Sequence, residues 1–135
     1  MMIEEFEIIN SMGGLCILKD AVEQISSSWK LSKKVALEIN LILEELCANY
    51  LEHSGDDASH SSKIKLILND NKITILVEDS GPPFNPKDVP SPEVSMPLED
   101  RIVGGLGLYF VKHFAEEISY KRDNDLNLLT ITKTI

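Results

Sequence analysis

The chain has 135 residues, which is about the length of one domain and enough to bury a substantial hydrophobic core. Its 43% hydrophobic and 26% charged content is ordinary for a globular protein. A net charge of -9 argues against general nucleic-acid binding, which depends on neutralising phosphates with basic residues. No apolar run approaches the roughly 20 residues of a membrane span, and the first residues lack signal-peptide features. We therefore expect a cytoplasmic protein without a membrane segment.

The first half of the chain predicts one strand and two helices. A short edge strand is expected at Glu5–Ile9, and apolar residues recur at helical spacing from Gly14 to Trp29. Ser32 is a suitable N-cap for a long second helix, from about Lys33 to His53. Both cysteines, one in each helix, are expected to be buried and reduced.

The second half predicts two hairpins separated by a loop and a helix. Asn69-Asp70-Asn71 is a tight-turn signal between the first two strands. All six prolines fall in the loop from Pro82 to Val103, and loops of that length usually form lids or binding loops, or are disordered. The expected elements are Lys63–Leu68, Lys72–Glu78, a helix at Leu106–Glu117, Ile118–Arg122 and Leu126–Thr132.

This order of elements predicts the fold class. Because hairpins dominate, the sheet should be mainly antiparallel, with the helices on one face: a two-layer α+β sandwich. No internal repeat and no second domain are indicated, so residues 1–135 are expected to form a single domain.

A polar stripe on the long helix is the first candidate site. Glu45 and Asn49 are four residues apart and therefore neighbours on one helix face, with Glu38 before them and His53 after them. Asn is a poor helix-interior residue, and its side-chain oxygen suits a hard cation such as Mg²⁺. Glu45 would then be placed to deprotonate an attacking hydroxyl or water. The alternative interpretation is a solvated helix face.

Two further segments point to a nucleotide. Asp79, at the end of an apolar strand and two residues before Gly81, could accept a hydrogen bond from the amino group of adenine, although Asp-x-Gly is also a common turn. The glycine segment Gly104-Gly105-Leu106-Gly107-Leu108 precedes a predicted helix. Its backbone N–H groups could hold phosphates, or its glycines could form a hinge.

Together these segments, in this order, resemble the ATP-binding domains of the GHKL superfamily, and more closely the anti-sigma-factor serine kinases. Glu45-x-x-x-Asn49 resembles the family's N box, and Asp79-x-Gly81 and the glycine segment resemble its two glycine boxes. The resemblance extends over almost the whole chain and includes the stretches Gly81-Pro82-Pro83-Phe84-Asn85-Pro86 and Asn127-Leu128-Leu129-Thr130-Ile131-Thr132-Lys133.

The resemblance implies the Bergerat ATP-binding fold, with Mg²⁺ on Asn49, adenine on Asp79 and Glu45 as the catalytic base. It implies that His53, Phe84 and the glycine segment contact the nucleotide, and that a lid at about residues 82–104 closes over it. The implied substrate is a serine or threonine of an anti-sigma factor antagonist of the STAS type. A sigma factor is the implied alternative partner, and a homodimer is the implied assembly.

Two departures from the family pattern leave a second hypothesis open. Pro83 stands where many members have a glycine, and the only cations between Asp79 and Val103 are Lys87 and Arg101. Phosphoryl transfer needs positive charge around the γ-phosphate, for which Lys112 is a third candidate. The alternative function is therefore a nucleotide-gated binding switch without transfer. The ATP domain of a histidine kinase fits less well, because no dimerisation helix or second domain is indicated.

Overall fold

The structure of the chain is a computed structural model, and it describes residues 1–9, 12–54, 61–81, 83 and 111–135. The side chains of residues 12 and 49–54 lie outside that description. The described elements are β1 (Met2–Ile9), α1 (Met12–Ser28), α2 (Lys33–Ser54), β2 (Ser61–Asn69), β3 (Lys72–Asp79), β4 (Glu117–Asp123) and β5 (Leu126–Thr134).

The five strands form one antiparallel sheet in the order β1-β2-β3-β5-β4. β2 and β3 make a hairpin whose turn places Asp70 at φ 54°. The turn between β4 and β5 places Asn124 and Asp125 at φ 50° and 63°. Asn and Asp tolerate this left-handed conformation better than other non-glycine residues, so the turn chemistry of the sequence agrees with the observed hairpins.

One face of the sheet is covered and the other is open. Every second residue is buried along β2 and β3, and along β5 from Asn127 to Ile131, and the residues between them are half-buried or exposed. The buried strand residues join the inner faces of α1 and α2 in one apolar core. The predicted two-layer α+β sandwich, with an antiparallel sheet and helices on one face, is confirmed.

The start of the long helix is also as predicted. The backbone N–H of Val35 donates to Ser32 Oγ at 3.2 Å, which is the geometry of an N-cap. Lys30, at φ 57°, ends the preceding helix, and the N–H of Leu31 donates to the carbonyl of Ser26. This six-residue closure is a Schellman motif, which turns the chain between α1 and α2.

Two local expectations were wrong. The helix expected to reach Glu117 is described as helical only at residues 111–114, and Glu117 already pairs with Thr132 in the sheet. The N–H of Glu116 donates to the carbonyl of Thr132. Pairing with β5 therefore determines the local structure there, and the helix propensity of the sequence does not. Cys16 is exposed, although Cys47 is buried and both are free thiols. Within the described residues, no helix is long and apolar enough to cross a membrane.

Candidate functional site

The middle of α2 carries the first pair of predicted site residues. Glu45 is half-buried and the neighbouring Glu44 is exposed. Burial, and then the negative charge of Glu44, raise the pKa of the Glu45 carboxyl above its ordinary value. Asn49 lies one turn further along the same helix, but its side chain is outside the described part. Glu45 is therefore a carboxylate with raised proton affinity, a property that suits a general base.

Asp79 is the last residue of β3, and its side chain is only 2% exposed. The backbone N–H of Gly81 donates to Asp79 Oδ2 at 3.0 Å. This hydrogen bond folds the chain tightly around the carboxylate, as the Asp-x-Gly turn interpretation requires. The Asp79 carboxylate is thus part of the turn. The turn interpretation and a binding role for Asp79 are therefore compatible.

The thiol of Cys47 links α2 to Asp79. Burial, and then the negative charge of Asp79, raise the pKa of Cys47 to about 12. A negatively charged carboxylate raises the pKa of another side chain in this way only when the two groups are close together. The Asp79 carboxylate is therefore within electrostatic range of Cys47, which lies between Glu45 and Asn49 in α2, so a side chain of one predicted segment acts on a side chain of another.

A polar network that the sequence analysis did not identify surrounds Asp79. Asn127 lies directly opposite Asp79 in the pairing of β3 with β5, and its amide nitrogen donates to Asp79 Oδ2 at 3.4 Å. Tyr120 and Arg122 of β4 both donate to the amide oxygen of Asn127, at 2.6 Å and 3.1 Å. Arg122 also donates to the carbonyl oxygen of Gly81 at 2.8 Å. The available signal was the position of Asn127, which shares the alternation of the apolar residues Leu129 and Ile131 along β5.

Part of the polar stripe on α2 has a structural role. Glu38 is buried, and Lys133 of β5 pairs with it at 2.7 Å. The same ammonium group lies 3.4 Å from the carbonyl oxygen of Phe114 and 5.6 Å from the centre of its ring. Lys133 thus joins α2 and β5 to the helical turn at residues 111–114, which follows the glycine segment in the chain.

Several predicted site residues lie outside the described residues. These are the aromatic residue of the proline-rich loop and the whole glycine segment, namely Phe84, Gly104, Gly105, Leu106, Gly107 and Leu108. His53 is within α2, but its side chain is not described. Their proposed contacts with a nucleotide remain predictions.

Replacing Gly81 with alanine is expected to displace the Asp79 carboxylate. A Cβ at this position would lie 2.8 Å from Asp79 Oδ2, closer than real Cβ contacts allow. Because that oxygen is buried and held by two donors, we expect the variant to lose roughly 1–3 kcal/mol of unfolding free energy, as overpacked sites do. Urea denaturation measures the loss, and Ser80→Ala, at the exposed neighbouring position, is the matched control. Equal stability of the two variants would contradict this geometry.

Comparisons with known proteins extend over most of the chain. The family described as "Histidine kinase-like ATPase domain" matches residues 16–133. The chain is 27% identical over 113 residues to the serine/threonine-protein kinase BtrW of Bordetella bronchiseptica, covering 82% of this chain and 79% of that one. It is 26% identical over 102 residues to the serine-protein kinase RsbW of Bacillus cereus, covering 73% of this chain.

The match does not extend over the full length of each of these proteins. The matched region spans 63% of the length of that RsbW kinase. Among solved structures, the RsbU and RsbW domains of Rv1364c from Mycobacterium tuberculosis superpose with a TM-score of 0.69 at 12% identity. That match covers 99% of this chain and 32% of the other, and it establishes similarity of fold.

Proposed function

Because this chain belongs to the histidine kinase-like ATPase domain family, we propose that it is an ATP-dependent protein serine/threonine kinase acting on an anti-sigma factor antagonist. The observation that carries the proposal is the buried Asp79 carboxylate within electrostatic range of Cys47, in the segment of α2 that bears Glu45 and Asn49. The names of the relatives, serine and serine/threonine kinases, support the same reaction.

Asp79 is proposed to recognise adenine. The tight turn at Gly81, which has no room for a Cβ, lets the backbone pass close to the buried carboxylate. A carboxylate accepts hydrogen bonds only, so it suits the exocyclic amino group of adenine and disfavours a carbonyl oxygen in that place. The residues present therefore fit an adenine base.

Glu45 is proposed to be the general base. Its carboxylate takes the proton from a serine or threonine hydroxyl of the substrate protein. The hydroxyl oxygen forms a bond to the γ-phosphorus of ATP, and the bond from that phosphorus to the bridging oxygen of ADP breaks. The products are the phosphorylated protein, ADP and a protonated Glu45, which releases its proton to solvent.

The rest of the nucleotide site is proposed from residue chemistry. Asn49 would offer an oxygen ligand to Mg²⁺, which neutralises phosphate charge when bound. His53, Phe84 and the glycine segment would contact the nucleotide, under a lid at about residues 82–104. The whole chain would then act as one ATP-binding domain located in the cytoplasm.

The partners follow from the same proposal. The substrate is an anti-sigma factor antagonist of the STAS type, and a sigma factor is the alternative partner of a homodimer of this chain. Incubating purified protein with Mg²⁺-ATP and the candidate antagonist, and assaying for phosphoserine or phosphothreonine, tests the activity. ATP binding without any transfer to the antagonist would contradict the kinase mechanism.

A nucleotide-gated binding switch is the second candidate function. The small number of cations in the lid sequence, Lys87 and Arg101, favours it because transfer requires charge stabilisation at the γ-phosphate. In that case ATP would change the affinity for the partner protein and no phosphate would be transferred. Measuring partner affinity with ATP and with ADP, beside the transfer assay, separates the two functions.

Replacing Glu44 with glutamine is expected to shift the pH dependence of transfer. Since the Glu45 pKa is raised, the base stays protonated to higher pH and the rate rises with pH as it ionises. Removing the charge of Glu44 lowers that pKa, so the acid limb should move to lower pH. Burial, the larger cause, is retained, so the limb should stay above the ordinary range of glutamate.

Single-turnover rates measured from pH 5 to pH 9 test this shift. Glu23→Gln, which removes an exposed carboxylate from α1, is the control for net charge and should leave the profile unchanged. A Glu44→Gln profile identical to that of the unmodified protein would argue that Glu45 is not the titrating base.

A further inference from the structure

The Asn127 amide is a fully buried polar side chain beside the proposed adenine site. It is 0% exposed and lies at the start of β5, opposite Asp79. Its nitrogen is 3.4 Å from both Asp79 Oδ2 and the carbonyl oxygen of Gly81. Its oxygen faces Tyr120 and Arg122. The amide therefore stands between β4 and the two ends of the Asp79–Gly81 turn.

The chemistry of Arg122 determines which way the amide is turned. A guanidinium group can only donate hydrogen bonds, so the Asn127 atom 3.1 Å from Arg122 Nη1 must be the oxygen. The amide NH₂ group is then directed at Asp79 Oδ2 and at the Gly81 carbonyl, both of which accept. The orientation of Asn127 thus follows from its partners and is not an arbitrary choice between the two amide rotamers.

The network also fixes the turn that would approach the base. The carbonyl oxygen of Gly81 accepts from Arg122 at 2.8 Å, while the N–H of Gly81 donates to Asp79 Oδ2. Asp79 Oδ2 therefore receives two donors, the Gly81 N–H and the Asn127 amide. A carboxylate held by two donors inside the protein keeps one orientation without the help of a ligand.

We propose that Asn127, oriented by Arg122 and Tyr120, is a positioning residue for base recognition, holding the Asp79 carboxylate in the orientation that accepts the amino group of adenine. The inference rests on the proposal that Asp79 recognises adenine. It makes the edge strand β4, which lies two strands away from β3 in the sheet, a determinant of nucleotide selectivity. Asn127 acts through Asp79 and is assigned no contact with the nucleotide.

The test compares ATP with inosine triphosphate, in which a carbonyl oxygen replaces the adenine amino group. Dissociation constants of both nucleotides are measured with Mg²⁺ on the full chain. Asn127→Ala should weaken ATP binding by about tenfold, the value of one or two lost hydrogen bonds. Inosine triphosphate should bind within about twofold of its original affinity, because it never used the oriented carboxylate. A purely structural role would weaken both nucleotides equally and would overturn the proposal.

Arg122→Gln provides a second route if Asn127→Ala fails to fold. It leaves Asn127 in place but removes the group that forces the orientation of its amide. We expect a smaller loss of ATP affinity, about threefold to tenfold, again without loss for inosine triphosphate. Lys121→Gln is the matched control, since it removes the same charge from the adjacent position of β4, where the side chain is 71% exposed. Equal behaviour of the Arg122 and Lys121 variants would contradict the proposal.

A double-mutant cycle separates this inference from the function on which it rests. If Asp79→Asn lowers the preference for ATP over inosine triphosphate, the reading of adenine by Asp79 stands. Adding Asn127→Ala to that variant should then cause no further loss of ATP affinity, because its effect passes through the same carboxylate. Additive losses would overturn the role of Asn127 alone. An unchanged preference in Asp79→Asn would remove both the adenine assignment and the inference.

Discussion

Replacing Glu45 with alanine is expected to slow phosphoryl transfer to the antagonist by about 100- to 10,000-fold, the usual contribution of a general base. The affinity for ATP should stay within about twofold, because Glu45 acts on the hydroxyl of the substrate protein. The half-buried carboxylate with its raised pKa is the physical basis of this expectation. Single-turnover transfer rates and ATP titrations on the same preparations measure the two quantities separately.

Two variants control this experiment. Glu45→Gln keeps the size and polarity of the side chain but cannot accept the proton, so it should be as slow as Glu45→Ala. Glu44→Ala truncates the exposed neighbour on the same helix and should retain most of the transfer rate. If transfer in Glu45→Ala remained near the original rate, the base would have to be another residue. If no protein transferred phosphate, yet ATP still changed partner affinity, the binding switch would be the better account.

Replacing Asp79 with asparagine is expected to weaken ATP binding by roughly 1.5–3 kcal/mol, the value of a hydrogen bond to a charged group. This corresponds to about a 10- to 150-fold rise in the dissociation constant. The Gly81 N–H and the Asn127 amide both donate to the Oδ2 position, so they would retain the amide oxygen there. The new NH₂ group would then take the other position and meet the adenine amino group donor to donor.

Titration with and without Mg²⁺ checks this expectation and locates the defect. Because Asp79 is assigned to the base, the ratio of affinities with and without Mg²⁺ should be the same in Asp79→Asn and in the unmodified protein. Ser80→Ala is the neighbouring control, since Ser80 is exposed and lies next to Asp79 in the chain. Unchanged ATP affinity in Asp79→Asn would remove the assignment of adenine to this carboxylate.

The sequence by itself determined the layer structure. It also placed Glu45 and Asn49 on the long helix α2 and Asp79 at the end of strand β3. Alternating burial in β2, β3 and β5 follows from side chains pointing to opposite faces of a strand. The N-cap at Ser32 and the left-handed turns at Asp70 and Asn124 depend on local hydrogen bonding and backbone sterics. Such features need only a few neighbouring residues, so a single sequence contains the information.

Other features of the site could be decided only by tertiary structure. Asn127 meets Asp79 across 48 positions of sequence because β5 is inserted between β3 and β4 in the sheet. Glu38, which the helix pattern placed on a polar stripe, is buried and forms an ion pair with Lys133 of β5. Cys16 is exposed because no strand or helix covers its side of α1 within the described residues. Each outcome depends on which elements become neighbours, and strand order and register are long-range properties that local periodicity does not encode.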